Sequence, residues 1–147
     1  MDRISKSRRS KNMSKIKSKN TSLEITVRKY LYHRGYRYRI HYNITGKPDL
    51  VFPKEKLAIF INGCFWHMHG CRLSVIPETR RDFWKDKLER NRERDARVSA
   101  LLTSRSWTVF TLWECEICEG IEPALADLVS LLSRDGLSQQ DPAVFRR

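Results

Sequence analysis

No run of apolar residues in this chain approaches the ~20 needed to cross a bilayer, and no apolar segment follows the basic N-terminus to make a secretion signal. Internal repeats are absent as well. Acidic residues are scarce relative to basic ones. Only 17 Asp and Glu stand against 29 Lys and Arg, a formal charge of +12. Cysteine is sparse too, with four in 147 residues. The missing spans and signal exclude a membrane protein and lead to the expectation of a cytoplasmic, nucleoid-associated one. In that reducing compartment the four cysteines stay thiols and suit metal ligation better than disulfides. The basic surplus favours a polyanionic partner, nucleic acid or an anionic membrane surface.

The charge is uneven. Eight basic residues lie in the first 20 positions, from Arg3 to Lys19, against the single acid Asp2. Residues 1–20 therefore read as a basic, flexible arm that orders on nucleic acid. Residues 21–134 read as one folded domain, and residues 135–147 as a loose polar tail.

Within the domain, Thr21-Ser22-Leu23-Glu24 has the form of a helix start, and Gly35 of its stop. Tyr36 to Tyr42 alternates as a strand does. Asp49–Phe52 and Leu57–Ile61 follow as two strands joined by a turn at Pro53–Lys56. Residues 63–78 look irregular. Pro77 and Thr79 open a long helix to about Ser104, then come a strand at Trp107–Trp113 and a helix at Glu122–Leu132. The expected fold is α/β, a mixed sheet sandwiched by helices.

Asp49 follows a proline at a strand entrance, a placement that suits a divalent cation. The next strand ends at Ile61-Asn62, where a backbone carbonyl supplies a second hard oxygen, and Glu24 in the first helical turn reaches the same point. The combination of helix Glu, Pro-Asp and strand resembles the core of restriction-endonuclease-like nucleases. The lysine usual at the end of the second strand is missing, so another group must do its work.

Cys64-x4-His69-x-Cys71 presents three zinc-type ligands within eight residues. Cys115 completes a closed tetrahedral set, with Cys118 as the rival fourth ligand. His67 is left over as a general acid/base. The long helix carries Trp84, Leu88, Asn91, Asp95, Val98 and Leu102 on one stripe. Asn91 and Asp95 interrupt an apolar face, and Asp95 is expected to orient His67. Phe65 and Trp66 are adjacent aromatics on the irregular turn and suit stacking or wedging.

Taken together, Arg9-Ser10-Lys11-Asn12-Met13, Gly46-Lys47-Pro48-Asp49, Gly63-Cys64-Phe65-Trp66-His67, Cys71, Asn91-x3-Asp95 and Trp113-Glu114-Cys115 resemble the very-short-patch-repair (Vsr) DNA mismatch endonucleases over about residues 8–132. The resemblance implies a restriction-endonuclease-like fold. It implies nicking of one strand of duplex DNA 5′ to the thymine of a T·G mismatch, with Mg2+ in the active site and a structural Zn2+. By position it makes Asp49 and the Ile61 carbonyl the magnesium ligands. Glu24 acts on water held by that ion, His67 is the acid/base, and Asp95 stands behind it. Cys64, His69, Cys71 and Cys115 match the zinc ligands. Phe65 and Trp66 match aromatics that enter the base stack from the major groove. Met13, beside Lys11 and Asn12, matches a wedge from the arm in the minor groove.

The chain departs from the family where Thr-His usually precedes Gly-Cys, since it has Ile61-Asn62. A carbonyl survives any side chain. Asn62, at a catalytic position, bonds water or phosphate but cannot titrate. A monomer is expected. Two other readings remain: a sequence-specific nickase, and a zinc-stabilised DNA-binding module with a weakened active site.

Overall fold

The structure is a computed structural model, and it describes residues 5, 7, 8 and 21–134. The arm with Lys11, Asn12 and Met13, and the tail from residue 135, lie outside the described residues.

Helix α1, Ser22–His33, is capped by Thr21, whose hydroxyl accepts from the Glu24 N–H at 3.3 Å. Its end is set by Gly35, at φ +89°. There the Tyr36 N–H reaches the Leu31 carbonyl and the Gly35 N–H reaches that of Tyr32, the paired bonds of a glycine-closed helix terminus. Strands β1 (Leu50–Phe52) and β2 (Leu57–Asn62) pair antiparallel; β3 (Thr108–Trp113) pairs parallel with β2 in the order β1-β2-β3. The parallel pairing requires a crossover, which the long helix α2 (Arg81–Ser104) supplies. Helices α3 (Glu114–Glu119) and α4 (Ile121–Arg134) complete the chain.

Alternation along the strands sorts the two faces of the sheet. Ile59, Ile61 and Leu112 join Val27 and Leu31 of α1 and Leu125, Leu128 and Leu132 of α4 in the core. Phe60, Asn62, Val109 and Thr111 lie on the other face and line a cleft of about 1160 Å³ beneath α2. The result is a three-stranded mixed sheet flanked by helices, the α/β class expected from the sequence.

Three local readings need correction. Tyr36–Tyr42 forms no named strand; it contributes a single bridge, Arg39 to Val51. Tyr36 turns into the core, His41 takes φ +53°, and Ile40 and Tyr42 are left exposed, so the alternation is not that of a half-buried strand. Helix α2 starts at Arg81 and not at Pro77 or Thr79, because Arg80 at φ +54° breaks the chain ahead of it. The six-residue α3 was not anticipated: its turn and a half is too short to show a period. No helix among the described residues is long and apolar enough to cross a membrane.

Candidate active site and metal centre

Asp49 lines the cleft, and its backbone N–H donates to the Ile59 carbonyl at 3.0 Å. One carboxylate oxygen, Oδ2, accepts the Ile61 N–H at 2.7 Å. The period of two turns the Ile61 backbone to the same side as that of Ile59, towards β1. The Ile61 carbonyl therefore faces the β1 edge, the edge on which Asp49 lies.

Burial, above all, pushes the Asp49 carboxyl up to about 6; the Ile61 N–H opposes the rise, and the neighbouring Glu24 carboxylate adds to it. Glu24 is itself buried. It accepts from the Thr21 hydroxyl at 3.3 Å and from Arg28 at 3.1 Å. The site thus presents hard oxygen donors around a carboxyl that is costly to ionise without a cation beside it. That donor set fits Mg2+.

Across the cleft, α2 presents Asp95 to His67, with Nδ1 to Oδ2 at 2.5 Å. The bond occupies Nδ1 and leaves Nε2 as the ring's remaining polar atom. One helical turn earlier, the Asn91 amide donates to the Trp66 carbonyl at 3.2 Å. The two polar residues on the α2 stripe therefore both hold the 63–70 turn. Asn62 and Glu24 line the same cleft.

Phe65 and Trp66 are half-buried on that turn, their ring centroids 5.1 Å apart. Both pack edge-on to Trp84, at 5.5 and 5.9 Å. Lys87 lies 5.5 Å over the Trp66 ring. Trp84 read as one member of an apolar stripe, and nothing in the sequence set it apart from a core residue.

The ligating atoms of Cys64, His69, Cys71 and Cys115 all lie within 4.8 Å of one another. His69 turns Nδ1 inward, 3.5 Å from Cys64 Sγ and 3.4 Å from Cys115 Sγ. Its ring stacks on Trp113, centroids 4.1 Å apart and nearly parallel. Backbone N–H groups support the sulfurs: Cys115 N–H donates to Cys64 Sγ and Leu73 N–H to Cys71 Sγ. Ser74 ties the loop shut by donating to the Cys64 carbonyl at 2.9 Å. Cys118 is exposed and stands outside the cluster.

Burial pushes the Cys64 thiol up to about 12, and Cys71 and Cys115 beside it add to the rise. Burial and crowding raise Cys115 as well. Three thiols this close cannot ionise together unless a cation shares their charge. The set of three sulfurs and one imidazole fits Zn2+ and excludes hard cations such as Mg2+.

Glu114 had not been singled out for a role. Its carboxylate accepts the Cys64 N–H at 3.1 Å and also lines the cleft, so it joins the cysteine cluster to the strand ends. Its place in Trp113-Glu114-Cys115 is the signal the sequence offers.

The family model described as DNA mismatch endonuclease Vsr matches residues 1–73. The type II nicking enzyme V.XorIIP of Xanthomonas oryzae pv. oryzae is 45% identical over 119 residues, 80% of this chain and 88% of that protein. The chain belongs to the Vsr endonuclease family. The DNA mismatch endonuclease Vsr of Escherichia coli is 38% identical over 113 residues, 76% of this chain and 72% of that protein. The type II nicking enzyme V.NmeAIP of Neisseria meningitidis is 43% identical over 117 residues, 79% and 84% of the two chains. The Vsr family-model match contains Glu24, Asp49 and three of the clustered metal-type ligands. Asp95 and Cys115 lie beyond it, brought to the site by α2 and α3.

Proposed function

We propose that this member of the Vsr family nicks duplex DNA on one strand, 5′ to the thymine of a T·G mismatch, by Mg2+-dependent phosphodiester hydrolysis on a restriction-endonuclease-like scaffold. The observation that carries the reading is the His67–Asp95 pair held in the same cleft as the buried Asp49 carboxyl.

Asp49 and the Ile61 carbonyl would hold Mg2+, with Asp49 Oδ2 fixed by the Ile61 N–H; bound there, the ion would offset phosphate charge and make water easier to deprotonate. Glu24, tied by Thr21 and Arg28, orients water at the inner end of the site. Asp95 holds His67 Nδ1, so Nε2 is the atom that takes a proton from the attacking water or returns one to the leaving oxygen. Asn62 hydrogen-bonds water or phosphate at the strand end and carries no charge. Cys64, His69, Cys71 and Cys115 hold Zn2+, which fixes the turn bearing His67, Phe65 and Trp66.

The aromatics read the lesion. A mismatched pair stacks less well than a matched one, so wedging it open costs less there. Phe65 and Trp66, backed by Trp84, supply the wedge. Lys11, Asn12 and Met13 act from the arm, whose basic residues add salt-dependent affinity for any duplex.

A labelled T·G duplex incubated with the protein tests the reading: Mg2+ gives a single-strand nick and EDTA none. A nick of equal yield in EDTA removes the metal from the scheme. A second expectation concerns the wedge. Replacing Phe65 and Trp66 with Ala weakens T·G binding by roughly 1–3 kcal/mol per lost stacking contact, and changes binding to matched duplex much less. Because both rings rest on Trp84, the melting temperature drops modestly while zinc content stays. A variant that binds T·G as tightly as wild type shows that these rings do not enter the stack.

A further inference from the structure

Strand β2 ends on the uncharged Asn62, which lines the cleft. A side-chain cation that meets the phosphate there comes from another residue. Arg28 is occupied by Glu24. Arg94 lines the cleft but donates to the Asn91 side chain at 3.4 Å. Lys47 also lines it, two residues before Asp49, with an exposed side chain and no ion pair among the described residues.

The turn that carries Lys47 is built with care. Lys47 sits at φ +47°, a region a lysine seldom adopts, closed by its N–H to the Ile44 carbonyl at 3.1 Å. Gly46, at φ +80°, packs so tightly on α2 that a Cβ there would lie 2.2 Å from Val98 Cγ1. Arg105, just past the end of α2, donates to the Thr45 hydroxyl at 3.0 Å. The turn is thus pinned to α2, the helix that also places Asp95. Strained backbone of this kind, held by tertiary contacts, clusters at ligand-binding positions.

We propose that Lys47 is the cation that grips the phosphate of the strand being cut. It supplies a positive charge in the cleft that Asp49, His67 and Asp95 also line, where charge builds on the phosphate oxygens. The inference rests on the nuclease reading above and goes beyond it by naming the group that positions the reacting phosphate.

The test uses the full chain and a T·G duplex with Mg2+, at saturating enzyme in a single turnover. Lys47→Asn removes the charge and keeps a residue that tolerates positive φ; Lys47→Arg restores the charge. The asparagine variant is expected to nick ~10²-fold more slowly, with duplex affinity falling by less than about tenfold, as for one lost phosphate contact among many. Its melting temperature and zinc content should match wild type, and Lys47→Arg should recover most of the rate. A Lys47→Asn protein that nicks as fast as wild type at saturation overturns the proposal, and so does loss of rate in both variants alike. A wild type that fails to nick is a different result and counts against the nuclease reading itself.

Discussion

Asp49→Asn is expected to abolish nicking and, at the same time, to make the metal-free protein more stable above about pH 6. The two effects share one cause. The folded-state carboxyl keeps its proton up to about 6, whereas an ordinary carboxyl releases it near 3.8. A raised folded-state value means that the group stabilises the fold below the lower of these and that this contribution is lost as pH rises through the upper. At about 1.4 kcal/mol per pH unit, the gap between 3.8 and about 6 corresponds to ~3 kcal/mol. Asparagine keeps an oxygen for the Ile61 N–H and never ionises, so it escapes that cost. It also forfeits the charge that holds Mg2+. Denaturant titrations of both proteins, run well above and well below pH 6 in EDTA, measure the difference directly. Adding Mg2+ should stabilise wild type above that pH and leave Asp49→Asn unchanged. An asparagine variant that is less stable at every pH, or one that still nicks, removes Asp49 from the metal site.

Removing the metal from the cysteine cluster is expected to have the larger structural effect. Elemental analysis of purified protein should find about one zinc per chain. Structural zinc is worth ~10–16 kcal/mol in small sites, as much as the whole stability of a typical domain. Cys71→Ser should lose the zinc and melt the 63–78 loop, because little else holds it: the loop has few buried apolar side chains besides Cys64. His67, Phe65 and Trp66 lose their placement with it, so nicking and mismatch binding fail together. Cys118→Ser is the control. Cys118 stands outside the cluster, and its loss should leave zinc content and melting temperature unchanged. A zinc-free wild type that is stably folded, or a Cys118→Ser protein that loses the metal, contradicts the assignment.

Much of this architecture could be read from residue order. The Thr21 cap, the Gly35 stop and the stripe from Trp84 to Leu102 are local signals, set by hydrogen bonds and periods that span a few residues. The Cys64, His69 and Cys71 spacing is local too. What resisted reading was set by distant partners. Tyr36–Tyr42 alternates, but Tyr36 is drawn into the core beside Ser133, nearly a hundred residues away, and only Arg39 pairs with β1. Helix α3 gives too few residues for a period, although it brings Cys115 to the cluster. Glu114 and Trp84 acquire their neighbours only when α2 and β3 are laid against the 63–70 turn. Gly46 meets Val98 only when α2 is laid against its turn. The Asp95–His67 contact was legible because a carboxylate on an apolar stripe demands a partner, and His67, in the ligand loop but not itself a ligand, could meet it.

The most direct measurement compares end-labelled duplexes that differ in a single pair, T·G against C·G, each incubated with the protein and Mg2+ and resolved at single-nucleotide resolution. A mismatch-directed nuclease gives one nick, on the thymine strand, immediately 5′ to the mismatched T, and leaves C·G intact. Equal nicking of both duplexes contradicts the reading and indicates recognition of sequence alone, while tight T·G binding with no nick in either strand indicates a DNA-binding module whose chemistry is lost.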